Sequence, residues 1–275
     1  MGTPRIVVII PAAGAGRRYA ESGGDYGAVR WKLEEDLGGR SVLQRSVELF
    51  GGQGPGSAWV VGIVVAGPHE AGVFSEFRDR HADKLGLLGA KICRGGVTHR
   101  YETVAAALAE VPGSATHIAV HDAARPCTPA EVIERVFEAA AKHNAVVPGV
   151  EVSDTIKRAG EEAGEEEEAD PLAAILGAAP RKARPRVVRE TLDRRGLFAI
   201  QTPQVFEAGL LRRAYAQMDL ASTDDAGLVE RLGEQVVIVP GDPRNIKITR
   251  MGDLTLARAI MGVKGGGGRE AHKKF

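Results

Sequence analysis

Cysteine is scarce in this 275-residue sequence: Cys93 and Cys127 are the only two. Two thiols cannot make a disulfide scaffold, and so low a count suits a reducing compartment. No Cys-x-x-Cys occurs, which excludes a cysteine-based zinc site. An excess of one charge is also lacking, since 36 Lys and Arg face 36 Asp and Glu. No global field therefore gathers nucleic acid or anionic lipid, although a basic pocket can still be built locally. The first apolar run is short, stopped by Pro11 and followed by charge. It is neither a signal peptide nor a spanning helix, so the expectation is a cytoplasmic protein with no nucleic-acid or membrane partner. No Ser–His–Asp or Cys–His spacing stands out, and nothing near Cys127 announces an activating base.

What is present begins at residues 6–10, an Ile/Val run that reads as a buried strand. It empties into Pro11-Ala12-Ala13-Gly14-Ala15-Gly16-Arg17-Arg18, small residues that let backbone amides approach a polyanion, followed by paired cations. The loop is not a dinucleotide fingerprint, because Tyr19 stands where the third glycine belongs, and no Gly-Lys-Ser/Thr follows. Gly14 and Gly16 read equally as a tight strand-to-helix turn.

Further strands are expected at 59–65, 117–120, 145–148 and 235–240, and helices at 41–50, 70–80, 103–110, 131–143, 206–218, 224–232 and 253–261. That alternation implies an α/β, Rossmann-like, mostly parallel sheet with helices on both faces. Residues 151–200 break the rhythm: 151–158 and 187–191 read as the strands of a projecting β-arm. Between them an insert at 160–186 opens with seven acidic residues in the eleven from 160 to 170, which should be solvated. The whole reads as one domain over 1–262 with the arm at about 151–200, then a flexible glycine-rich tail at 263–275.

Asp122 follows the 117–120 strand, at the sheet edge where doubly wound folds bind ligands, and could hold Mg2+ or pair with Arg125. His121 reads as a packed strand-end residue. Asp154-Thr155-Ile156-Lys157-Arg158 and Asn245-Ile246-Lys247-Ile248-Thr249 alternate as strands and offer cations at an edge. Lys32 alone reads as a surface lysine. A basic pocket with one carboxylate and no acid/base pair suits attack by a phosphate on the α-phosphorus of a nucleoside triphosphate. That nucleophile is already an anion, and fixed cations answer the charge repulsion.

In order along the chain, the 11–18 loop, Lys32 with Ser41-Val42-Leu43-Gln44-Arg45-Ser46, and Val120-His121-Asp122-Ala123-Ala124-Arg125-Pro126 form one series. Asp154-Thr155-Ile156-Lys157, Asp193-Arg194, Gln201-Thr202-Pro203-Gln204 and the 245–249 string complete it. Together they resemble the 2-C-methyl-D-erythritol 4-phosphate cytidylyltransferase family over nearly the whole chain, the insert and tail excepted. The resemblance implies CTP and Mg2+, with Arg18, Lys32 and Lys247 as catalytic cations. It implies Pro11, Ala12, Ala13, Gly14, Gly16, Gly96, Thr103 and Asp122 around the nucleotide, and Asp122 toward the metal. It assigns Arg125, Thr155, Arg194 and Thr202 to the polyol phosphate, and a homodimer through the β-arm that brings Arg194 to a neighbouring site. The chain departs from the family pattern in Trp31 before the lysine, in a longer 19–31 loop, and in Thr103 for serine. Alternatives are a ribitol-5-phosphate or related polyol-phosphate cytidylyltransferase, a sugar-1-phosphate nucleotidyltransferase, and a non-catalytic nucleotide-binding scaffold.

Overall fold

A computed structural model describes residues 3–14, 32–162 and 185–263. The loop at 15–31 with Gly16 and Arg18, most of the acidic insert, and the tail from 264 lie outside the described residues. Two compact units emerge, one from residues up to Val150 together with those from Ile200, the other spanning Glu151–Ala199.

The larger unit is built on a sheet whose centre is β1 (Ile6–Pro11). β1 lies parallel to β2 (Val60–Gly67) on one side and to β4 (His117–Val120) on the other. β3 (Ala90–Arg94) closes the β2 edge. Beyond β4 come β9 (Gln204–Glu207), β5 (Ala145–Glu151) and β10 (Val237–Pro240). β9 runs antiparallel to β4 and β5, so the sheet is mixed, with one reversed strand in an otherwise parallel path. Both faces are covered because the strand residues alternate sides while remaining apolar throughout. Ile6, Val8 and Ile10 enter one core with α1 (Val42–Glu48), α2 (Ala71–Gly86), α4 (Ala130–Ala140) and α7 (Met251–Ile260). Val7 and Ile9 enter a second with α3 (Arg100–Ala109), α5 (Ala208–Tyr215) and α6 (Ala226–Glu230).

Several elements differ from their sequence reading. The helix expected at 206–218 starts only at Ala208, because Val205 and Phe206 are fully buried strand residues pairing with β4. The expected strand at 151–158 divides: Glu151 ends β5, and β6 (Lys157–Glu162) begins six residues later. Residues 245–249 are no strand; Asn245 turns inward and Ile248 bonds Ala124 through its backbone at 2.8 Å. β3 escaped notice because its apolar residues alternate with Lys91 and Arg94, the cations that blunt an edge strand.

The smaller unit carries an antiparallel pair, β6 with β7 (Arg186–Thr191), and the chain returns to the larger unit through β8 (Phe198–Ile200). β7 is exposed along its length, with Val187 56% and Val188 55% accessible.

In the larger unit, α2 anchors the segment that follows Lys32. Arg80 reaches Glu34 at 2.6 Å, and His81 packs beneath, 6% exposed, against the Phe77 ring. Burial lowers the His81 pKa, outweighing the attraction of Glu34. A group that binds its proton less well when folded makes the unfolded state the stronger proton binder, so the His81 contribution to stability falls as pH drops below about 6.5. His81→Gln is expected to flatten that fall, read as urea midpoints between pH 7 and pH 5. An unchanged slope would show that His81 does not set it.

Candidate active site

The carboxyl ends of β1 and β4, the loop before α3 and the 247 segment converge on a cleft of about 180 Å³. Its lining includes Pro11, Ala12, Ala13, Gly14, Lys32, Gly96, Arg100, Thr103, Asp122 and Lys247. A parallel sheet places loops and helix starts at this edge, which is where such folds bind ligands.

Asp122 is the centre. Its side chain is 10% exposed and meets three cations: Lys247 Nζ at 2.7 Å, Arg100 Nε at 3.3 Å and Arg125 Nε at 3.6 Å. Burial alone would raise its pKa, but Arg100, Lys247 and Arg125 outweigh that and hold the carboxyl well below the usual carboxylate range. Arg100 is pulled the other way: burial opposes its charge, and Asp225 with Asp122 lifts its pKa above the ordinary arginine value. The cluster Lys247, Arg100 and Arg125 holds one more cation than the carboxylates Asp122 and Asp225 can balance, which leaves a local positive charge.

Buried polar residues set these groups. Thr202, 5% exposed, accepts the Asp122 backbone N–H at 3.0 Å. Asn245 is fully buried, donates to the Thr202 carbonyl at 2.9 Å and accepts from Thr128 at 2.8 Å, fixing the strap that carries Lys247. Arg125 donates to the Asn245 carbonyl at 2.6 Å. Thr202 and Arg125 thus support Asp122 from behind and do not line the cleft. Lys32 Nζ donates to the Ile248 carbonyl at 3.3 Å, on the same strap.

On the opposite wall, the Thr103 hydroxyl accepts the Gly96 N–H at 3.2 Å. A Cβ on Gly96 would lie 2.1 Å from the Glu102 Cβ and 2.7 Å from the Thr103 backbone nitrogen, so only glycine lets the loop close against α3. Thr155 and Arg194 belong to the smaller unit, where Arg194 donates to the Ser153 carbonyl and Thr155 is exposed.

His117 and His121 have His-x-x-x-His spacing, which pairs side chains on a helix. These two sit on and just beyond a strand, and among the described residues no group of three or more His, Cys, Asp or Glu is placed to hold a metal. His121 is fully buried, its ring nitrogens 3.2 Å from Thr202 Oγ1 and from the Arg125 carbonyl. Burial pushes its pKa down to about 4, so it is neutral and structural. Burial pushes the Cys127 thiol up to about 11, which removes it as a nucleophile.

Arg100 was not legible as a site residue. The sequence pattern starts the helix at 103, and only its true start at residue 100, four residues beyond Gly96, brings a cation to the sheet edge. Among the described residues no helix is long and apolar enough to cross a membrane.

The sequence matches the family described as IspD, 2-C-methyl-D-erythritol 4-phosphate cytidylyltransferase, over residues 6–170 and 162–263. It is 39% identical to the protein of that name from Frankia casuarinae over 95% of this chain and 83% of the relative. The Rhodococcus jostii protein of that name is also 39% identical, over 94% of this chain and 96% of the relative. The fold is similar to the crystal structure of 2-C-methyl-D-erythritol 4-phosphate cytidylyltransferase from Thermus thermophilus, with TM-score 0.64 and 29% identity over 94% of this chain and 100% of that one. The chain belongs to the 2-C-methyl-D-erythritol 4-phosphate cytidylyltransferase family and is, at that level, a CTP-using cytidylyltransferase.

Proposed function

We propose that this chain transfers the cytidylyl group of CTP to 2-C-methyl-D-erythritol 4-phosphate, giving 4-diphosphocytidyl-2-C-methyl-D-erythritol and pyrophosphate. The observation that carries the reading is the convergence of Lys247, Arg100 and Arg125 on Asp122 at the sheet edge, beside Lys32.

The acceptor phosphate is already an anion and needs no base to attack, which agrees with a buried, neutral His121. The barrier lies in bringing two polyanions together and in charge growing on the five-coordinate phosphorus and the leaving pyrophosphate. Preorganised cations lower it because they need not reorient as that charge develops. In this reading Arg18, Lys32 and Lys247 take the triphosphate. The backbone from Pro11 to Gly14, Gly16, and the wall of Gly96 and Thr103 take the nucleoside. The acceptor falls to Arg125, Thr155, Arg194 and Thr202, the first and last acting through the support they give Asp122.

Mg2+ suits this donor set. It keeps waters and binds through one or two carboxylates plus substrate phosphates, and Asp122 offers one ionised carboxylate at the cleft. When bound, the ion would draw charge from the triphosphate oxygens. The arm supports a homodimer in the same reading. An exposed two-stranded ribbon is marginal alone and gains by pairing with a second copy.

Acceptor choice is tested by pyrophosphate release with CTP, Mg2+ and either methylerythritol phosphate or ribitol 5-phosphate. The expected kcat/KM favours methylerythritol phosphate by at least about 100-fold, short of the roughly 10,000-fold by which a site built to pair a substrate hydroxyl rejects an analogue lacking it. Equal rates, or a preference for ribitol 5-phosphate, would overturn the assignment.

A further inference from the structure

Arg100 stands between two carboxylates, only one of which lies in the cleft. Its Nη1 pairs with Asp225 Oδ2 at 2.8 Å while its Nε reaches Asp122 Oδ1 at 3.3 Å. The Asp225 side chain is 1% exposed, and its Oδ2 has no other polar partner. Its Oδ1 accepts the Tyr215 hydroxyl at 2.5 Å. A carboxylate buried this deeply is costly unless a charge compensates it, and the guanidinium supplies that charge.

The turn bearing Asp225 is itself pinned to the sheet. Gln204, 1% exposed, donates to Asp224 Oδ2 at 2.8 Å and accepts the Ala226 N–H at 3.1 Å. Gln204 pairs with Val120 across the β4–β9 ladder, two residues before Asp122. The path from Asp122 through Arg100, Asp225 and Gln204 back to β4 is therefore a closed frame. Four rotatable bonds separate a guanidinium from its backbone, so a single contact to Asp122 would let Arg100 follow Asp122 whenever that carboxylate shifts. A second anchor outside the cleft prevents this.

We propose that Asp225 is a positioning residue for the nucleotidyl-transfer reaction: it holds the Arg100 guanidinium at the cleft edge, where Arg100 meets the triphosphate. The inference rests on the reading of the cleft as a nucleotide site, but its geometric half is testable without nucleotide. In the ligand-free protein the Arg100 Nε–H resonance, assigned by its absence in Arg100→Lys, should be sharp, and Asp225→Asn should broaden or remove it.

In turnover, Asp225→Asn should lower kcat/KM for CTP about 10- to 100-fold, the range expected for losing a hydrogen-bonded charge contact. In an Arg100→Ala background the same substitution should change it less than about 2-fold, since linked groups fail to add. Should Asp225→Asn not fold, Tyr215→Phe, which keeps the charge, should give a smaller loss that likewise vanishes without Arg100. An unchanged resonance, or losses that multiply in the double variant, would overturn the proposal. A broadened resonance in a protein whose wild type does not turn over CTP would instead sink the nucleotide reading and leave the positioning role standing.

Discussion

Asp122→Asn is expected to cost both catalysis and stability, with turnover falling about 100- to 1000-fold, the scale for removing one preorganised electrostatic contact. The asparagine keeps the shape but takes a negative charge from among Lys247, Arg100 and Arg125, at 2.7, 3.3 and 3.6 Å. Arg100 keeps Asp225, and Lys247 can turn to water from its 38% exposed position. Arg125 cannot: its side chain is 11% exposed, and its Nε has no hydrogen bond. Leaving it uncompensated places the cost at about 3 kcal/mol, the lower end for breaking a buried ion pair. The pH dependence has a definite sign. Because the folded state holds Asp122 below its usual pKa, its stabilisation is present above about pH 4 and is lost as pH falls further. Wild type and variant should therefore converge in urea midpoint on acidification below pH 4. Equal midpoints at pH 7 would show that the cluster contributes nothing to stability.

Lys32→Ala should lower kcat by about 100- to 1000-fold while the melting temperature shifts by only a few degrees. The ammonium is half-buried at the cleft, bonded to the Ile248 carbonyl at 3.3 Å, so it stands over the same strap as Lys247. The segment around it does not depend on it for shape. Leu33 and Leu37 are 4% and 0% exposed in the core, and Glu34 is held by Arg80. Loss of turnover with the fold intact would mark a role in the transition state, whereas unchanged turnover would remove Lys32 from the mechanism. Lys32→Arg should recover only part of the rate, since a planar fork does not reproduce a compact ammonium.

The sequence disclosed most of what local pattern can carry. The β1 run announces a two-sided strand because every residue is apolar, and Asp122 announces itself by following the 117–120 strand. Burial of all five residues from Ile6 to Ile10 and the cleft at both strand ends agree with those readings. What stayed hidden is long-range. Phe206 and Glu207 look like the first turn of a helix until β4 and β5 are beside them. Asp225 reads as one more residue of the helix expected at 224–232, and its partner Arg100 lies 125 positions away. Thr202 carries a motif signature, yet nothing local says that its hydroxyl faces the Asp122 N–H. Registers and buried ion pairs are properties of the assembled sheet, so spacing along the chain does not encode them legibly.

Attack of an acceptor phosphate on the α-phosphorus of CTP fixes where every phosphate oxygen ends, and oxygen tracing reads that out. With methylerythritol phosphate labelled by 18O in its phosphate, Mg2+ and unlabelled CTP, all label should stay in the diphosphate of the product and pyrophosphate should leave unlabelled. Label in pyrophosphate, or release of orthophosphate in its place, would rule out attack at the α-phosphorus.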